Sequence, residues 1–198
     1  MLVWAGVSVV AQTLPVAGTF INLPYQDVRN KYTNPEGLDG TDPQLWAAKV
    51  ADMKEMGMEY LVFMSVANEC RAYYPSKLMG WQYPTDRQSP VDAIMEEAAK
   101  RNMQVFLGMY IKDLTWNCGD YLYELKQNKI YMDEVLARYK DMPAFKGWYI
   151  PHETGSNIYN IKETMGGLAA MCKDKSPDKK VFISPFFRGQ NLYPDPMS

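Results

Sequence analysis

Hydrophobic and polar positions follow two alternating patterns along this chain. Residues 60–66 and 105–111 are near-continuous apolar runs, as strands buried on both faces require. Residues 18–23 read as an earlier strand, ended by Pro24. Between the runs, apolar residues recur at helical spacing: Trp46, Val50 and Met53, then Ile94, Met95 and Ala98. Asp42-Pro43 and Ser89-Pro90 each set a capping side chain before a proline suited to the first helical position. Gly57 and Asn102 suit left-handed closure of the same two helices. The joint Gly57-Met58-Glu59-Tyr60 matches Asn102-Met103-Gln104-Val105, which marks a repeated supersecondary unit.

The pattern continues. A helical region over roughly 121–141, as one helix or two, carries Leu125, Val135, Leu136 and Tyr139 as its apolar positions. Phe145 to Ile150 reads as a fourth strand, stopped by Pro151. Ile158, Ile161, Met165 and Leu168 mark the next helix, which Ser176-Pro177 ends, and residues 181–187 form a fifth strand. Strand and helix alternating at roughly 40-residue intervals predict parallel βαβ units. They close either as an open doubly wound sheet or as a (β/α)8 barrel. No G-x-G-x-x-G and no P-loop follows the first strand, which weakens the nucleotide-binding sheet. Long aromatic and polar loops after the strands favour the barrel, whose site is built from such loops. The expected class is therefore α/β, of (β/α)8 TIM-barrel type, cut to about five βα units of a fold that usually takes about 250 residues. The expected division is a leader over 1–17, the partial barrel over 18–190 and a loop-like tail over 191–198. A five-stranded arc would expose two strand edges, so it is expected to be marginal, oligomeric or prone to aggregate.

Composition narrows the function. The net charge is −2 and there is no basic stripe, which argues against nucleic acid. Three cysteines far apart and a single histidine make a zinc site improbable, and no metal or cofactor is expected. Residues 2–11 are apolar but too short to span a bilayer, so no stable membrane insertion is expected. The run ends in Val9-Val10-Ala11, as a secretory signal does, although no basic residue precedes it. A buried N-terminal strand fits the run about as well. The signal reading places the mature chain, starting at Gln12, in the periplasm or outside the cell.

The stretch Gly147-Trp148-Tyr149-Ile150-Pro151-His152-Glu153 ends the fourth strand with a carboxylate, where α/β barrels carry their chemistry. Together with Gly18-Thr19-Phe20 and the Met56-Gly57 joint, it resembles the glycoside-hydrolase-like barrel domains of bacterial proteins in the DUF4434 group. The resemblance covers about residues 18–189. It implies a carbohydrate-active hydrolase. Barrel glycosidases of the large retaining clan hold their general acid/base Glu at the end of strand four, which Glu153 matches. Two departures stand beside it. The residue before that Glu is usually Asn and here is His152, and the clan's nucleophile lies on a seventh strand. Chitinase-like barrels use Asp-x-Glu on strand four, and here Pro151 stands two residues before Glu153.

Glycoside hydrolysis by the common route needs two carboxyl groups. Glu153 is the candidate acid, and Glu69 and Asp113 are candidates for the second group, although each reads more readily as a solvated loop charge or a helix cap. Trp81, Tyr83 and Trp116 fall in loops of the presumed active face, where they would either stack on sugar rings or pin the long loops to the barrel. Asn22, Asn68, Tyr110, Asp113, His152, Ser184 and Arg188 lie at or near strand ends and are candidate hydroxyl-binding residues. The partner expected is an oligo- or polysaccharide. A non-catalytic carbohydrate-binding or scaffold domain on the same fold is the alternative, since barrels host many functions.

Overall fold

The computed structural model describes residues 16–23, 42–68, 71–77, 87–112, 120–152 and 160–184. In chain order these form β1 (Gly18–Ile21), α1 (Pro43–Glu55), β2 (Tyr60–Phe63), β3 (Ala67–Asn68), β4 (Arg71–Ala72), α2 (Pro90–Lys100), β5 (Gln104–Gly108), α3 (Tyr121–Tyr139), β6 (Phe145–Ile150), α4 (Ile161–Lys175) and β7 (Lys180–Ile183). The region over 121–141 is thus a single helix. The helix caps form as their residues dictate. The Asp42 carboxylate accepts from the Gln44 amide at 2.9 Å. Ser89 and Asp92 make a reciprocal capping box. Gly57 and Asn102 take positive φ of 91° and 55° where α1 and α2 close.

The five main strands pair in the order β1-β2-β5-β6-β7, every pair parallel. Spatial order follows chain order without reversal. Right-handed crossovers that always advance in one direction put every helix on one face, which is the barrel solution. The helix-side core joins Leu61, Phe63, Val105, Leu107, Trp148 and Ile150 to Trp46, Val50, Ile94, Met132, Val135, Leu168 and Cys172. The other face carries Phe20, Phe106, Tyr149 and Phe182. Phe182 of β7 lies 6.2 Å from Phe20 of β1, ring centre to ring centre, and 5.4 Å from Tyr149. Rings from the two outermost strands therefore meet, so the sheet is strongly curled around its inner aromatic layer.

Two departures from the expected strands have local causes. The chain leaves β2 after Phe63 and forms the small antiparallel pair β3–β4, so the apolar run to Val66 is only half strand. In β6 the register slips by one residue, because Val105 faces Phe145 while Phe106 faces Gly147. That bulge puts Phe145 and Trp148, three apart, together on the helix side with their rings 5.2 Å apart. Gly147 is required at the slip, because a Cβ there would come 2.0 Å from the Lys180 carbonyl oxygen.

α2 and α3 are joined by a charged cluster. Arg138 donates to both Asp92 oxygens, at 2.8 and 2.7 Å, and the Tyr139 hydroxyl donates to Asp92 at 2.9 Å. Burial alone would raise the Asp92 pKa. The hydrogen bonds from Arg138, Ser89 and Tyr139 together outweigh it and hold the carboxyl below its usual value. A carboxyl lowered on folding adds stability above its unfolded pKa of about 3.9, and that stability is lost as pH falls through the folded value. Asp92→Asn should therefore lower stability at neutral pH and flatten the acid limb of the stability curve. Urea melts between pH 7 and pH 2 check this, and an unchanged acid limb would refute it.

Candidate functional site

The barrel topology directs attention to the C-terminal ends of the strands. There the described residues are held by one helix. Successive positions 124, 128, 131 and 135 of α3 lie on one face, four, three and four residues apart, and all four are buried. The face turned to the strand ends is mostly polar. The Asn128 amide accepts from the Tyr110 N–H and donates to the Tyr110 carbonyl, both at 2.9 Å. The Tyr131 hydroxyl donates to the Gly108 carbonyl at 2.6 Å. These bonds satisfy backbone groups of β5 where the ladder stops, and buried polar groups must be satisfied.

Glu124 reaches further. Its Oε1 accepts from the Lys112 N–H at 3.3 Å, and its Oε2 lies 3.3 Å from His152 Nε2. Both side chains of that pair are 0% exposed. One carboxylate in the first turn of α3 thus touches the segments that leave both β5 and β6. One face further round, Glu134 accepts from the Ser76 hydroxyl at 2.6 Å, the Tyr74 hydroxyl at 3.1 Å and the Lys77 N–H at 2.8 Å. It fastens the loop that follows β4. α3 therefore organises three successive connections on the presumed active side.

The candidates from the sequence fall in three groups. Asn22 and Ser184 are exposed, immediately beyond β1 and β7. Asn68 ends β3, its backbone paired with Arg71. Tyr110 and His152 are buried, and the His152 ring is directed at α3. Glu153, Glu69, Trp81, Tyr83, Asp113, Trp116 and Arg188 lie outside the described residues, as do residues 1–15 of the expected leader and the tail.

The residues missed from the sequence are Glu124, Asn128 and Glu134. Apolar periodicity selected Leu125 and Leu136, which are only half-buried, while the polar Glu124 and Asn128 are enclosed and Glu134 is half-buried. The one available signal was the four-three-four spacing of Glu124, Asn128, Tyr131 and Val135.

Cys172 offers no nucleophile. Its thiol packs 3.5 Å from the Met109 sulfur, and burial pushes its pKa up to about 12. Among the described residues no three His, Cys, Asp or Glu side chains converge to hold a metal, and no helix is long and apolar enough to cross a membrane.

Solved structures with this architecture are glycosidase-like barrels. A protein described as a "putative alpha-L-fucosidase" from Bacteroides thetaiotaomicron matches 93% of this chain at 25% identity, with a TM-score of 0.71. The endo-1,4-beta-mannanase from Rhizomucor miehei matches 94% at 16% identity, with a TM-score of 0.56. A glycoside hydrolase family 5 protein from Bacteroides vulgatus matches 73% at 17% identity, with a TM-score of 0.50. The chain spans 57%, 61% and 32% of their respective lengths. These likenesses establish a TIM-barrel fold of glycoside-hydrolase type. No curated protein matches. The model of a family described as a domain of unknown function, DUF4434, matches residues 16–197.

Proposed function

The chain belongs to the DUF4434 family, and from that premise we propose that it acts on carbohydrate as a glycoside hydrolase with Glu153 as general acid. The observation that carries this reading is the likeness, over 93% of the chain at 25% identity, to a protein described as a "putative alpha-L-fucosidase". Trp148 and Ile150 belong to the helix-side core, and Tyr149 meets Phe20 and Phe182 on the inner face. Neighbours on an extended chain alternate, so Pro151 shares the parity of Tyr149. His152 has the other parity, consistent with its contact with α3. It therefore serves the site from behind.

In this reading Glu153 protonates the leaving glycosidic oxygen as the bond to the anomeric carbon breaks. Asp113 or Glu69 supplies the second carboxyl group. Trp81, Tyr83 and Trp116 stack on sugar faces, and Asn22, Asn68, Ser184 and Arg188 meet hydroxyls. The apolar run at 2–11 directs the protein to the periplasm or beyond the cell. The test is direct. The purified protein is offered aryl glycosides and oligosaccharides, with α-L-fucosides and β-1,4-mannosides among them. Turnover of at least one is expected. Binding without turnover would instead support a non-catalytic carbohydrate-binding domain, and neither binding nor turnover would refute the proposal.

A further inference from the structure

We propose that Glu124 is a positioning residue of this site: its buried carboxylate ties the segments leaving β5 and β6 together, through the Lys112 N–H and the ring of His152, the residue that precedes Glu153 in sequence. The inference rests on the reading of Glu153 as the acid. It concerns a residue that no strand-end pattern would select, since Glu124 stands on a helix, 29 positions before the carboxylate it would serve.

Three observations carry it. The first is burial. Enclosing a carboxylate is costly unless its oxygens are well partnered. Leu or Met would pack this helix face against the core without that cost. The carboxylate is therefore explained by what it bonds to, and it bonds to two different strand ends.

The second is division of labour on α3. Asn128, one turn on, secures the end of β5 by itself through both polar atoms of the Tyr110 backbone, and it also donates to the Glu124 carbonyl at 3.0 Å. Holding β5 does not require Glu124. What Glu124 adds is the reach to β6, at the residue next to Glu153.

The third is the chemistry of the pair. In the proposed tie the Glu124 carboxylate accepts and the facing ring nitrogen donates. This places a proton on His152 Nε2 and fixes the tautomer and the plane of the ring. With both side chains 0% exposed, neither partner can touch a sugar. The effect on chemistry therefore acts through position, where a misplacement of about 1 Å costs about 10²-fold in rate.

The chain has one histidine, so its imidazole is a single, self-assigned signal in ¹⁵N-labelled protein. In the wild type the ring proton is expected on Nε2, with slow solvent exchange. Glu124→Gln has one accepting oxygen for two donors, so it should keep only one arm of the tie and give a kcat between those of wild type and Glu124→Ala. Glu124→Ala should lose the slow exchange and lower kcat by about 10²-fold with KM little changed. A wild-type ring carrying its proton on Nδ1 alone would overturn the tie without any variant having to fold. Normal kcat in a folded Glu124→Ala protein would overturn the positioning role. If the wild type turned over no glycoside while the Nε2 signal still depended on Glu124, the hydrolase reading would fail and the tie between β5 and β6 would stand.

Discussion

Glu153→Gln is expected to lower kcat by about 10²–10⁴, the usual contribution of general acid–base catalysis, while sugar binding stays nearly intact. The amide keeps the size of the side chain and can still hydrogen-bond the glycosidic oxygen. It cannot give that oxygen a proton as the bond to the anomeric carbon breaks. The loss should therefore depend on the leaving group. Aryl glycosides with acidic phenols need little protonation and should suffer least, whereas alkyl glycosides and natural oligosaccharides should suffer most. Steady-state rates across such a series, beside calorimetric binding of the unreactive sugar, measure both halves of the claim. A uniform small loss across the series would remove Glu153 from the acid role, and turnover equal to wild type would do so outright.

Trp148→Ala should produce the largest loss of stability, about 3–5 kcal/mol by comparison with other buried aromatic truncations. Trp148 is 0% exposed and sits on the helix side of β6 against Phe145. Its indole N–H donates to the Ser176 hydroxyl at 2.7 Å, and that hydroxyl donates in turn to the Cys172 carbonyl at 2.9 Å. The residue therefore fills the gap between β6 and α4 and also bonds the turn that ends α4. Truncation leaves a cavity beside β6, the fourth strand of the sheet. Trp148→Phe keeps much of the volume and loses the hydrogen bond, so it should cost far less, about 1 kcal/mol for the bond itself plus a packing term. For a domain of this size the Ala variant should melt roughly 6–20 °C lower. Melts followed by circular dichroism would decide this, and a Tm within 2 °C or so of wild type would show that β6 is not anchored there.

Local chemistry was readable from residues alone. The two Asp/Ser-Pro starts, the left-handed closures at Gly57 and Asn102, and the starts of the five β runs depend on side chains within a few positions of one another, and each lies within a residue of where the sequence puts it. Spacing implied parallel βαβ units, and the strand order β1-β2-β5-β6-β7 realises them. The stretch ending at Glu153 carried the family resemblance, and the match over residues 16–197 upholds it. These properties follow from the sequence because steric preference, capping and short-range apolar periodicity need no distant partner.

What only the tertiary structure decided is which polar residues are inside. In isolation Glu124 is a favourable acid in the first turn of a helix, and Asn128 and Glu134 are ordinary solvated positions. Each is held by groups far along the chain: Glu124 by His152, Asn128 by Tyr110, and Glu134 by Tyr74 and Ser76. The slip in β6 is of the same kind, since it exists only relative to the register of β5. A buried polar group is stable only when its partner arrives, and a partner 18 to 60 residues away is brought by the fold and not by the neighbouring sequence.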